Sequence, residues 1–297
     1  MLIKKTTCDN CGTKFDECLE ECSKCKTKSK RFLELNLNPK MTWMNTARQL
    51  SLFLLGWLGL NIISLIYVFL SLAIEVFING LEYDAALALI STPFNAMLTN
   101  GVSYTLLLVG MIIIIWPHIR KILQSFASGK NILNGFLLGF ALIGATAAYG
   151  LIISSFYSTS GNVNQNTLEI LIADYPIPAI LIFGIIGPLA EEFTYRVGLF
   201  NLLSRSKRWI AYLSTALIFA FIHFSFISIF TYINAPTLDN YEAVINELIN
   251  IPQYLIAGLI LSFTYEQFGF AGSSIAHILN NLISIVGVLL VSNTIIK

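Results

Sequence analysis

Gln49-Leu-Ser-Leu-Phe-Leu-Leu-Gly-Trp-Leu-Gly-Leu-Asn-Ile-Ile-Ser-Leu-Ile-Tyr-Val-Phe-Leu-Ser-Leu-Ala-Ile74 is a run of 26 residues without a charge, bounded by Arg48 and Glu75. A helix needs about 20 apolar residues to cross a bilayer core, so this run is long enough to span a membrane. A soluble helix of this length would keep a polar face, and this one has almost none. The whole chain agrees. Its 297 residues are 56% hydrophobic and 12% charged, with a mean hydropathy of +0.72. Soluble domains average about 25% charged residues. The fold class implied is an all-α, polytopic helical membrane bundle.

Working outward, seven apolar spans lie at about 50–74, 102–118, 134–157, 176–195, 209–230, 252–268 and 273–295. Residues 78–101 are weakly apolar and read as a loop, an interfacial helix or an eighth span, so about seven to eight transmembrane helices are expected. Pro176, Pro178, Gly184, Gly187 and Pro188 punctuate the fourth span. Such breaks are tolerated where neighbouring helices re-satisfy the backbone. Loop charges orient the chain. Arg48 and the residues before it hold ten of the 18 Lys and Arg. Arg120, Lys121 and Lys130 follow the second span, and Arg205, Lys207 and Arg208 follow the fourth. The alternate loops carry Glu82 and Asp84, then Glu169 and Asp174, then Asp239, Glu242 and Glu247, without Lys or Arg. A multi-pass cell-membrane protein with a cytoplasmic N-terminus is expected. The net charge of +1 implies no general attraction to nucleic acid. No cleavable signal peptide is expected, since the chain opens with Lys and Cys rather than a short apolar core.

All five cysteines lie within residues 8–25. Four form two Cys-x-x-Cys knuckles, Cys8-Asp-Asn-Cys11-Gly12 and Cys22-Ser-Lys-Cys25. Such knuckles close a tetrahedral thiolate site with Zn–S distances near ~2.3 Å. Gly12 allows the tight turn behind the first. The spacing favours a structural zinc over unmetallated or redox thiols, and a cytoplasmic setting argues against disulfides. Cys18 is left as a free thiol. The head resembles a minimal zinc ribbon. Residues 1–30 are read as a cytoplasmic zinc-ribbon-like head that can contact a cytoplasmic protein. Residues 31–47 are read as a basic linker suited to anionic headgroups or serving only as a topology signal. Residues 48–297 are read as the transmembrane domain.

Polar residues stranded in the apolar spans mark candidate chemistry, because charge at bilayer depth is costly. Glu191-Glu192-Phe-Thr-Tyr-Arg196 places Glu192 and Arg196 four apart on a helix, where they can pair. That leaves Glu191 as the freer carboxylate, suited to a general base toward water. Read alone, the motif serves equally as two interfacial carboxylates with a snorkelling arginine. His223 lies in Phe219-Ala-Phe-Ile-His223. His277 and Asn281 are four apart and share a face, whereas Asn280 does not. Neutral donors of this kind can hold an oxyanion or bind helix to helix. His118, before Arg120, reads as interfacial. One Glu, two His and one Asn on three segments together favour a site. The sequence has no His-Glu-x-x-His and no Gly-x-Ser-x-Gly, and nothing besides proximity to His277 supports Ser274 as a nucleophile.

Glu-Glu-x-x-x-Arg, then Phe-x-x-x-His, then His-x-x-x-Asn, in this order on separate helices, resembles the CAAX-protease and bacteriocin-processing (CPBP, formerly Abi) family. The resemblance covers roughly residues 170–290. It implies that Glu191 and His223 activate water, that His277 and Asn281 form an oxyanion hole, and that Glu192 and Arg196 support them. The family often has Gly directly after the motif Arg. Here Val197 follows and Gly198 comes next, which puts local helix packing in question. A Glu and two His can also bind a metal, but Asn281 is a poor zinc ligand, so a metal-free activated water is favoured. The activity implied is intramembrane endopeptidase cleavage of a membrane-associated peptide or protein near the cytoplasmic face. The alternative is a non-catalytic bacteriocin-immunity or regulatory protein that binds a peptide or protein partner. A transporter is disfavoured because the two halves show no convincing repeat.

Overall fold

Asn45 opens the bundle. Its side chain accepts from Arg48 N (2.9 Å) and starts α1, Thr46–Ile78. Thr92, Ser128 and Asn162 cap later helices in the same way, each supplying an oxygen to an otherwise unpaired N–H. The structure, a computed structural model, describes residues 5–8, 10–16, 21–27, 44–157 and 161–295. Cys18 and most of the expected linker lie outside the described residues.

After α1 come α2 (Tyr83–Ile90), α3 (Pro93–Phe126), α4 (Gly129–Ser154), α5 (Val163–Asp174), α6 (Pro176–Ser204), α7 (Arg208–Phe221), α8 (Phe226–Asn234) and α9 (Leu238–Ile295). Ahead of them, β1 (Lys5–Thr7) and β2 (Lys14–Asp16) pair antiparallel in the head, Thr6 opposite Phe15. The all-α membrane bundle with a Cys-rich head is therefore as expected.

Five helices are long and apolar enough to cross a membrane, or six with α7 and α8 taken as one span bent by 51°. Seven is reached only by dividing α9 at Gly269, whose φ of 70° and ψ of −168° interrupt the helix. The region 78–101 supplies no eighth span. It is split between the 8-residue α2 and the first turns of α3, which starts at Pro93 behind the Thr92 cap rather than near 102.

α6 is the central helix. Its most apolar window is 56% buried, against 22% or less in the other membrane-length helices. Those keep large apolar side chains such as Leu65, Phe69 and Ile113 exposed, as lipid-facing helices must. α1 packs on α6 backbone to backbone. A Cβ on Gly198 would sit 2.9 Å from Phe53 N. The Gly displaced by one position from the family pattern is thus, with Gly56 against Thr194, one of the residues that let these helices touch.

The bundle has two ends. The near end holds the start of α1, the α3–α4 turn, the α6–α7 turn and Gly269. Arg205 ties it together, with Nε donating to Gln49 Oε1 (3.0 Å) and Nη2 to Met44 O. Ala271 N donates to Ser125 Oγ (3.1 Å), and Arg208 and Tyr212 meet Glu266. The far end holds α5, the α7–α8 break and the start of α9.

Candidate active site and metal centre

α6 is an unusual helix for a chemical reason. Pro188 has no N–H and cannot complete the ladder behind it. The preceding turn, Ile182–Ile186, widens into a π-helix, and Gly187 N bonds Ile182 O. In an α-helix that N–H would have served Phe183 O. The next nitrogen in line is that of Pro188, so Phe183 O is left over. Asn281 Nδ2 reaches from α9 and donates to it (3.0 Å). A second π segment, Glu192–Phe200, carries the Glu192 and Arg196 side chains. π turns of this kind cluster at functional sites.

Glu192 and Arg196 pair as their spacing suggests. Arg196 Nε lies 3.4 Å from Glu192 Oε2, with both side chains fully buried. The guanidinium also sits over the Phe219 ring, 5.2 Å from its centroid. His277 lies between the two carboxylates. Its Nδ1 is 3.0 Å from Glu192 Oε1, and its Nε2 is 3.7 Å from Glu191 Oε2. Glu192, ionised beside Arg196, accepts, so Nδ1 carries a proton and Nε2 faces Glu191.

His223 occupies the break between α7 and α8. Its Nδ1 contacts Phe219 O (2.7 Å). A carbonyl only accepts, so Nδ1 is the donor and Nε2 keeps a lone pair. The ring stacks on Tyr254, with centroids 4.3 Å apart. Asn162 Nδ2 donates to His223 O (2.9 Å). Buried Glu247 accepts from Val163 N and Ser225 N, each at 2.9 Å. One carboxylate thus caps the two turns that flank His223.

Glu191, His223, His277 and Asn281 line one cavity of about 400 Å³. Asn280, set aside by helical spacing, lines it as well and donates to Asn281 Oδ1 (3.2 Å). Glu192 and Arg196 stand behind the wall. Ser274 is buried away from the cavity lining, and His118 contacts Arg48 at the near end. Spacing gave no sign of Glu247, Asn162 or Tyr254. In the sequence Glu247 reads only as one of three acids in the loop before residue 252.

The cavity lining runs from mid-bundle, at Leu142 and Glu191, towards the far end, at Asn164 and Glu169.

The four head cysteines converge. Their Sγ atoms lie within 4.8 Å of one another. Cys8 and Cys25 are 3.4 Å apart, and Cys11 and Cys22 are 3.6 Å apart, near the ~3.8 Å edge of a tetrahedron with ~2.3 Å bonds. The two knuckles repeat one design. Gly12 N bonds Cys8 O and Lys26 N bonds Cys22 O, with φ of 68° and 61° at Gly12 and Lys26. Thr13 and Thr27 then meet Cys11 and Cys25 Sγ. Hydrogen bonds from Thr27 hold the Cys25 thiol down at about 6, and those from Thr13 lower Cys11. Burial pushes Cys8 up to about 11. Among the described residues, this is the group of His, Cys, Asp or Glu whose ligand atoms converge tightly enough for a metal ion.

Fold and site together define a helical membrane protein with a polar Glu–His–Asn cavity inside its bundle. Residues 173–283 match the family of type II CAAX prenyl endopeptidase Rce1-like proteins, the stretch on which the motif resemblance rests. The chain is also similar to UPF0177 protein YvdC of Lactococcus lactis subsp. lactis (strain IL1403), 30% identical over 105 residues. That alignment covers 35% of this chain and 39% of the length of the relative. No solved structure is significantly similar.

Proposed function

We propose that the protein is an intramembrane endopeptidase of the CAAX-protease and bacteriocin-processing type. The observation that carries this reading is the single cavity lined by Glu191, His223, His277 and Asn281. A water molecule donates one hydrogen to the Glu191 carboxylate and one to His223 Nε2, which turns its oxygen lone pair toward the scissile carbonyl. Glu191 takes the proton as the C–O bond forms. His277, its ring set by Nδ1–H on Glu192, and Asn281, through its second amide N–H, form the oxyanion hole. The intermediate collapses as Glu191 returns that proton to the leaving nitrogen, giving a carboxylic acid and an amine. Glu192, fixed by Arg196, orients His277. This reading uses a water activated by side chains and needs no metal in any step.

The segment 170–290 is the catalytic core of the transmembrane domain in this reading. The head, residues 1–30, holds one zinc through Cys8, Cys11, Cys22 and Cys25 and lies in the cytoplasm, where it contacts a protein partner. The test compares membrane-fraction peptides from cells carrying the wild type and Glu191→Ala. Peptides that depend on Glu191 are expected. Identical peptidomes, with a binding phenotype that survives the substitution, would favour a non-catalytic binder.

A further inference from the structure

The cavity holds one carboxylate that this mechanism does not use. Glu169, on α5, lines the wall together with Glu191 on α6. Gln165 Nε2 donates to Glu169 Oε1 (3.0 Å), and Oε2 has no protein partner among the described residues. The rest of the polar lining is six amides, from Asn100, Asn164, Gln165, Gln253, Asn280 and Asn281, with the two histidines, two tyrosines, Thr146 and Ser284. No Lys or Arg lines the cavity. Arg196 is spent on Glu192 behind the wall.

The charge at the far end of the bundle has the same sign. Among the described residues of the bundle, Arg48, Arg120, Lys121, Lys130, Arg205, Lys207 and Arg208 all belong to the near end. The far-end segments carry Glu75, Glu82, Asp84, Glu169, Asp174, Asp239, Glu242 and Glu247, and no cation. A cleft lined by one sign of charge, with low-dielectric walls, concentrates ligands of the opposite sign. A substrate carboxylate placed beside Glu169 would meet carboxylates and no Lys or Arg. A lysine or arginine side chain would meet a partly buried acceptor with a free oxygen.

We infer that this cavity selects a cationic peptide. Glu169 receives a Lys or Arg side chain of the substrate and thereby sets the scissile bond against Glu191. The inference names the substrate class of the hydrolytic site and rests on that reading. Glu169 is a specificity residue and takes no part in bond breaking.

The experiment uses the full chain in lipid nanodiscs. It is given membrane-partitioning peptides identical except for Lys, Arg, Gln or Glu at each of several positions, and products are read by mass spectrometry. The wild type should cleave the best Lys or Arg peptide roughly tenfold faster in kcat/KM than its Gln counterpart. Glu169→Gln should bring that ratio to about one, chiefly through KM, and Glu169→Lys should move the preference to Glu peptides. The reversed preference also shows that a substituted protein is folded. Equal rates across the wild-type series, or a basic preference that survives Glu169→Gln, would overturn the inference while leaving the hydrolase reading intact. The hydrolase reading itself fails if no peptide is cut, or if Glu191→Gln still cuts. In that event, binding of the same peptides to Glu191→Gln protein decides the matter. Tighter binding of the Lys peptide, lost when Glu169→Gln is added, supports charge selection, and equal binding of Lys and Glu peptides refutes it.

Discussion

At the near end of the bundle, Arg205 is buried and fastened to Gln49 and Met44. At the far end, Glu247 is equally buried and fastened to two backbone N–H groups. The first joins the α6–α7 turn to the start of α1 and closes that end. The second holds the turns around His223 and leaves a cavity between them. One end uses a charged group to shut the bundle, and the other uses one to keep a broken helix in place beside open space. Lipid-spanning helices supply little that is polar, so the few charges retained report where the protein needs a fixed geometry.

The comparison can be broken most severely at Glu191. Glu191→Gln should lower peptide cleavage roughly 10²–10⁴-fold while leaving thermal unfolding in detergent unchanged. A variant that still cleaves would move the base elsewhere. Glu247→Ala comes next. It strands two buried N–H groups at about 1–3 kcal/mol each, so the α7–α8 break should loosen. Hydrogen exchange should rise at 161–165 and 222–226 but not around Gln49. The pH profile of kcat should also shift, which general destabilisation alone would not produce. At the near end, Gly198→Val should cost about 1–3 kcal/mol by pushing α1 from α6, seen as a lower unfolding midpoint. Cys22→Ser should have the smallest effect on cleavage. Zinc content should fall from about one per chain to none, as read by elemental analysis, with cavity chemistry little changed. Full zinc retention would remove the four-thiolate assignment.

Much of this could be read from the chain because the physics was local. The charge-free run 49–74 specifies a spanning helix, and the doubled Cys-x-x-Cys specifies convergent thiols. The Glu192–Arg196 pair survived the replacement of α-helix by π-helix because neighbours four apart remain adjacent in both. Other features depend on distant partners. Pro188 was visible as a break, but only the fold shows that the carbonyl it orphans, Phe183 O, is taken by Asn281. Asn280 was excluded by ideal helical spacing and still reaches the cavity. Glu247 lies 24 residues from His223 and acts through backbone atoms at Val163 and Ser225, which no side-chain pattern encodes. The count of spans depends on whether α7 and α8 make one bent span and on Gly269, whose positive φ interrupts one long helical run.

The Glu192–Arg196 pair has a consequence for how the protein is made. Its members belong to the same helix, so α6 carries its own counter-charge as it leaves the aqueous channel for lipid. A pair shared between two helices would leave each one to insert with a bare charge and wait for its partner. Here the Glu192 charge is balanced before any neighbour arrives, and the later docking of α9 adds His277 to a pair already formed.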